Sequence, residues 1–209
     1  SKIKYETIVI MEMNNMSKVK NIKTLSKNKY LSLYSADYTN KAGNLKNWII
    51  ASRKDLETIE NKFFKNEEDK IDAVVIIPKH IDEDKLVVIR QFRVPINDYV
   101  IELPAGLVDG SESFEEAVRR ELKEETGLDL IEIDREATKE KVYISVGMTD
   151  ESVALVKCTC NGVVSQENLE EDEDIEVVML NKEEAKELIN SNENIDVKAL
   201  LAIQNFILS

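Results

Sequence analysis

An α+β fold is predicted, a small antiparallel β-sheet followed by a larger domain of mixed strands and helices, and three features predict it. Tyr30-Leu31-Ser32-Leu33-Tyr34-Ser35 alternates with period two, as a half-buried strand does. Ala73-Val74-Val75-Ile76-Ile77 is a continuous apolar run ended by Pro78, which reads as a strand buried on both faces. Ser113 to Thr126 has the charge and apolar spacing of a helix and opens on a capping box, Ser113-Phe114-Glu115-Glu116. The chain has 209 residues, which suits one domain of about 150 residues plus a smaller appendage. The texture changes from Ile71, after the mostly charged 61–70 stretch. The expected division is therefore an N-terminal β subdomain over residues 1–62 and a larger domain over 63–209.

Taken in order, strands are expected at Lys4 to Met11, Val19 to Leu25, Tyr30 to Tyr38 and Trp48 to Ser52. Asn40-Lys41-Ala42-Gly43-Asn44 supplies a turn before the last of these. Asn61 to Lys70, mixed and mostly charged, reads as a linker or a covered crossing segment. Ala73–Ile77 and Leu86–Phe92 form a hairpin through Lys79 to Lys85, with His80 expected at the surface of that turn. Tyr99–Leu103 is a short strand. Gly127 is placed to stop the helix that starts at Ser113. Strands follow at Val142–Val146, Val153–Thr159 and Glu176–Leu180. Two helices close the chain, Lys182–Ile189 and Val197–Leu208, the second with Asp196 as N-cap.

Composition narrows the function classes. The net charge is −13, and no cluster of Lys and Arg stands out to track a nucleic-acid backbone, so nucleic acid is not an expected partner. The longest apolar runs fall far short of the roughly 20 residues needed to cross a bilayer, so no membrane is expected either. Ile8 to Met11 is too short for a signal-peptide core and is flanked by Glu6 and Glu12, which gives a cytoplasmic expectation. The two cysteines, Cys158 and Cys160, share one face of a strand and read as reduced residues rather than a metal site. With a single histidine, His80, a His-dependent hydrolase is disfavoured. A chain this acidic repels a phosphorylated substrate unless cations mediate the contact.

Such a cation is called for by one motif. From Gly106 the sequence runs five residues to Glu112, seven more, then Arg120-Glu121-Leu122-Lys123-Glu124-Glu125-Thr126-Gly127-Leu128. On a helix Glu121, Glu124 and Glu125 stand at i, i+3 and i+4 and gather on one face. Three carboxylates that close raise one another's pKa unless a cation sits among them. Oxygen-only donors select a hard ion, Mg²⁺ or Mn²⁺. Arg120 is suited to compensate charge and orient a neighbouring glutamate.

The run matches the pattern G-x5-E-x7-R-E-U-x-E-E-x-G-U, U being aliphatic, at every constrained position. By average residue usage a chance match is rarer than roughly one in a million. The chain resembles the Nudix hydrolase family. Gln91-Phe92-Arg93, Ile101-Glu102-Leu103-Pro104-Ala105-Gly106 and Ser145-Val146-Gly147-Met148-Thr149-Asp150-Glu151 further resemble segments of the ADP-ribose pyrophosphatase subfamily, with Val146 where that subfamily has proline. The resemblance implies a Nudix α/β/α sandwich, a homodimer built with the N-terminal sheet, and Mg²⁺-dependent (or Mn²⁺-dependent) cleavage of a nucleoside diphosphate derivative. ADP-ribose would give AMP and ribose 5-phosphate. Nucleotide sugars and dinucleotides are the alternatives, followed by a non-catalytic ADP-ribose sensor.

It also implies residue roles. Glu121, Glu125, the Ala105 carbonyl and Glu173 would be metal ligands, and Glu124 a further ligand or a partner of one. Arg120 would support catalysis. Glu171, in Glu171-Asp172-Glu173-Asp174-Ile175, matches the position of a general base. Arg93, Glu102 and Glu151 would bind substrate, Glu102 and Glu112 would be site-wall or metal-proximal carboxylates, and Trp48 or a nearby tyrosine would stack on adenine.

Overall fold

In the computed structural model, residues 17–169 and 173–209 are described. The expected strand at Lys4 to Met11 lies outside them. Backbone contacts divide the chain into two units: one contains the described residues up to Lys70 together with Ser145–Glu151, the other Ile71–Ile144 and Ser152–Ser209.

The first unit is a three-stranded antiparallel meander, β1 (Val19–Lys27), β2 (Ser32–Thr39) and β3 (Leu45–Ser52). Ile22, Tyr34 and Ala36 are buried together with Ile59 of α1 (Leu56–Lys65). That helix takes up the first half of the linker expected over residues 61–70, and residues 66–70 form neither helix nor strand. Asp55 caps it by accepting from the Thr58 amide at 2.9 Å. Leu56, Ile59 and Phe63 provide a narrow apolar stripe that the surrounding charges conceal in the sequence. The 145–151 segment joins this unit through a parallel bridge from Thr149 to Ala51.

The second unit is built on a mixed sheet ordered β11-β5-β4-β10-β8, with β6 paired to β5, β7 to β4 and β9 to β10. Its strands are β4 (Ala73–His80), β5 (Lys85–Arg93), β6 (Asp98–Glu102), β7 (Ala105–Leu107), β8 (Asp129–Ile133), β9 (Lys139–Tyr143), β10 (Ser152–Asn161) and β11 (Ile175–Leu180). β4 and β10 run parallel and the remaining pairs antiparallel. Side-chain alternation splits the central strands between two cores. Val75, Leu86, Val88 and Val153 pack with Ala199, Ile203 and Phe206 of α4 (Val197–Leu208) and Ala185 of α3 (Lys182–Ile189). Val74, Ile76, Val87, Ala154 and Val156 pack with Ala117, Val118 and Leu122 of α2 (Phe114–Thr126). A sheet covered on both faces by helices is the expected α/β/α sandwich.

Three local expectations are corrected. His80 is not a surface turn residue: it ends β4 and is only 3% exposed. Its Nε2 lies 3.1 Å from the Gly162 carbonyl, and its Nδ1 accepts from the Glu83 amide. The strand expected at Val142–Val146 is β9, three residues earlier, because Ser145 onward turns back to the first unit. The short strands β7 and β8 were not expected, since three and five residues carry too little periodicity. Cys158 and Cys160 are free thiols buried on one face of β10, as expected. Among the described residues, no helix is long and apolar enough to cross a membrane.

Candidate active site

The site is organised by α2. Ser113 caps the helix, accepting from the Glu116 amide while the Glu116 carboxylate accepts from the Ser113 amide. Gly127 ends it with φ +76°. A β-carbon there would meet the Ser165 backbone nitrogen at 2.5 Å, and that amide donates to the Thr126 carbonyl. Both conditions demand glycine. The buried stripe Ala117, Val118, Leu122 faces the sheet and fixes the helix rotation. That rotation sends Glu121 and Glu125 inward, at 8% and 2% exposure, and leaves Glu124 half-buried.

Opposite α2 lies β7. Its register on β4 pairs Val74 with Gly106 and Val75 with Ala105, and the flanking bonds run from Ile76 to the Pro104 carbonyl and from Val108 to the Asp72 carbonyl. The alternation of an antiparallel ladder then turns the N–H and C=O of Ala105 away from β4. The Ala105 N–H donates to Glu125 Oε2 at 3.0 Å. Its neighbour Gly106 lies directly against Glu121: an added β-carbon would overlap the Glu121 carboxyl group. The first glycine of the motif is thus required by close approach rather than by its own backbone angles.

Arg120 ties the helix to the loop before it. Its guanidinium donates to both Glu112 oxygens at 3.0 Å, to Glu121 Oε1 at 2.7 Å, to Glu124 Oε2 at 3.0 Å and to the Leu107 carbonyl at 3.0 Å. The bidentate bond holds the Glu112 carboxyl below its ordinary range. Burial does the opposite to Glu125, whose pKa is pushed up to about 9 chiefly by desolvation, despite the Ala105 amide. Glu121 is also raised, again mainly by burial, with Arg120 opposing. The negative charge of Glu173 contributes to raising both. Arg93 acts on Glu125 in the opposite direction.

Arg93 and Glu102 pair across the β5–β6 ladder at 2.6 Å. The structure thus brings Arg93, Glu102, Ala105, Arg120, Glu121, Glu124, Glu125 and Glu173 into one unit. Glu151 lies in the other unit, paired with Arg53 at 2.9 Å. Trp48 is half exposed on β3 and donates to the Gly147 carbonyl. Glu171 lies outside the described residues. Among the described residues no three acidic, histidine or cysteine side chains already converge on one point; Glu121 and Glu124 face Arg120, and Glu125 faces the Ala105 amide. Glu112, expected on the site wall or near the metal, is the bidentate anchor of Arg120. The pair carries no helical signal because Glu112 lies before the N-cap Ser113, outside the helix that bears Arg120.

Buried carboxylates that are desolvated and mutually repelling, beside a backbone carbonyl on a free strand edge, form a donor set suited to a hard divalent cation. The family comparison agrees with this chemistry. The family model for the NUDIX domain matches residues 69–201, and the chain belongs to the Nudix hydrolase family. The ADP-ribose pyrophosphatase of Bacillus subtilis (strain 168) is 33% identical over 151 residues, which is 72% of this chain and 80% of that protein. The GDP-mannose pyrophosphatase of Shigella flexneri serotype 5b (strain 8401) is 31% identical over 160 residues, 73% of this chain and 81% of that protein. A crystal structure of an ADP compounds hydrolase superposes with a TM-score of 0.64 at 19% identity, covering 89% of each chain. That likeness concerns the fold.

Proposed function

We propose that the chain is a Mg²⁺-dependent pyrophosphohydrolase that splits ADP-ribose into AMP and ribose 5-phosphate, or cleaves the diphosphate of a similar nucleoside diphosphate derivative in the same way. The observation that carries this reading is the pair of buried carboxylates Glu121 and Glu125 on α2, set against Gly106 and Ala105 of β7. The similarity to an ADP-ribose pyrophosphatase over most of both chains supports the substrate class. The relative named for GDP-mannose keeps nucleotide sugars as the second reading.

Glu121, Glu125, Glu173 and the Ala105 carbonyl would hold the cation, with Glu124 as a further ligand or a partner of one. When bound, a divalent ion neutralises diphosphate charge and lowers the pKa of water, the two needs of attack on phosphorus. Arg120, fixed by Glu112, keeps Glu121 and Glu124 turned toward one side of the helix and balances their charge. Arg93, exposed on one side and held by Glu102 on the other, is suited to take a phosphate oxygen. Proton removal from the attacking water is assigned to the late acidic run, by resemblance to Glu171.

The 1–62 subdomain is assigned to nucleoside recognition and to dimerisation with a second copy. Both assignments are supported by the exposed Leu33, Trp48 and Ile49 and by a groove of about 450 Å³ that they line with Met148. A cytoplasmic setting, without membrane or nucleic-acid partners, fits the acidic composition.

The test is a panel of ADP-ribose, nucleotide sugars and dinucleotides with Mg²⁺, scored by identified products. AMP and ribose 5-phosphate formed fastest from ADP-ribose supports the assignment. Faster cleavage of a nucleotide sugar moves it to the second reading.

A further inference from the structure

Strand β3 is followed at once by two cations, Arg53-Lys54, and the 145–151 segment ends in two carboxylates, Asp150-Glu151. The fold of the first unit joins them two by two. Arg53 Nε donates to Glu151 Oε1 at 2.9 Å, and the Lys54 ammonium lies 3.8 Å from Asp150 Oδ2. The first pair is partly exposed, whereas the Lys54 and Asp150 side chains are only 8% and 13% exposed. Asp150 Oδ1 is buried and has no hydrogen-bond partner among the described residues, so the charge of this carboxylate is balanced by Lys54. Lys54 is itself fixed. Its carbonyl accepts from the Tyr34 hydroxyl at 2.8 Å and its amide donates to Ser52 Oγ at 3.1 Å. Its ammonium also meets Asp69, which holds Lys62. Tyr34 belongs to the core of this unit, which makes the base of the clasp rigid.

The rest of the segment follows β3. The Met148 carbonyl accepts from the Ala51 amide at 3.0 Å, and the Gly147 carbonyl from Trp48 Nε1 at 3.3 Å. Gly147 and Met148 thereby line, with Leu33, Trp48 and Ile49, the groove of about 450 Å³. The turn that delivers them is not stiff of itself. The Ser145 carbonyl accepts from the Met148 and Thr149 amides, both at 2.9 Å, and Gly147 has no positive φ. This is the pattern of a type I turn, whose second position favours proline. Here that position is Val146, 72% exposed, whose φ no ring locks.

We propose that Arg53 and Lys54 are positioning residues: by clasping Glu151 and Asp150 they set the Gly147–Met148 wall of the groove against Trp48, a restraint that the Val146 turn does not supply. The consequence for ligand affinity rests on the reading of this groove as the nucleoside site. Glu151, which the sequence suggested for substrate, acts through that wall rather than on the ligand.

Intrinsic fluorescence reads the groove directly, because Trp48 is the one tryptophan of the chain. The full chain is titrated with AMP, which carries the nucleoside and has no diphosphate to cleave. The variants are Asp150→Asn, Arg53→Gln, Val146→Pro and the Asp150→Asn/Val146→Pro pair, each shown to be folded by thermal melts. Asp150→Asn keeps the side-chain shape and leaves Lys54 its Asp69. It is expected to shift Trp48 emission and to weaken AMP binding by about tenfold. Arg53→Gln, at the exposed pair, gives a smaller change in the same direction. Val146→Pro restores both signals in the Asp150→Asn background, because it stiffens the turn by another route; a general loosening would not be repaired by it. Two results would overturn the proposal: wild-type emission in Asp150→Asn, or a change in Asp150→Asn that Val146→Pro leaves unrepaired. If the emission pattern holds while AMP leaves wild-type Trp48 unaltered, the nucleoside reading of the groove fails and the clasp stands.

Discussion

The space that a side chain on Gly106 would need is filled by the carboxyl group of Glu121. Strand β7 and helix α2 therefore meet with no atom to spare at the point where the buried carboxylates gather. Gly106→Ala must swing the Glu121 side chain away, and since that side chain is flexible the fold survives. Mn²⁺ affinity is expected to fall at least about tenfold, with a thermal midpoint close to that of wild type. Titration of the variant by electron paramagnetic resonance checks this; wild-type affinity would mean that Glu121 is not a ligand.

Arg120 makes a planar fork of contacts to Glu112, Glu121, Glu124 and the Leu107 carbonyl that a lysine ammonium cannot reproduce. Arg120→Lys is expected to lower kcat by about 10–100-fold. Glu112→Gln, which leaves a single neutral acceptor, is expected to lower it less. Steady-state kinetics at saturating Mg²⁺ decide the order.

Burial that pushes Glu125 up to about 9 has a signed consequence. The folded state binds a proton that the unfolded chain, with an ordinary carboxyl near 4.5, has already released. Metal-free stability therefore falls as pH rises from about 4.5 toward 9. Glu125→Gln removes the titration while keeping an acceptor for the Ala105 amide. Its metal-free midpoint is expected to exceed that of wild type by several degrees at pH 8, and to match it near pH 4. For a chain this size about 1 kcal/mol corresponds to roughly 2–4 °C. Divalent ions, which bind the ionised form, are expected to abolish the wild-type slope. Calorimetry across that range is the check.

Ser113 serves the helix rather than the chemistry. Ser113→Ala removes one side of the capping box and is expected to cost about 1 kcal/mol, seen as a lower midpoint in thermal melts. The kcat of the folded protein should be unchanged.

The motif on α2 was legible because it combines helical spacing, capping and charge within 23 consecutive positions, Gly106 to Leu128. The paired cores were legible in the strand at Ala73–Ile77, whose alternate residues face different helices. Helix α1 was hidden because its apolar stripe, Leu56, Ile59 and Phe63, is thin among charges. His80 was misread because a hairpin position says nothing of the Gly162 turn that packs over it. Long-range partners such as Tyr99 with Asp174, 75 residues apart, leave no periodic trace. The role of Gly106 likewise shows only when α2 lies against β7.

The most direct measurement is Mg²⁺-dependent hydrolysis of ADP-ribose by wild type and Glu125→Gln, with products identified and both proteins shown to be folded. Turnover to AMP and ribose 5-phosphate by wild type, lost by about 100-fold or more in the variant, is the expected result. Wild-type turnover that survives in Glu125→Gln would contradict the placing of the metal site on α2.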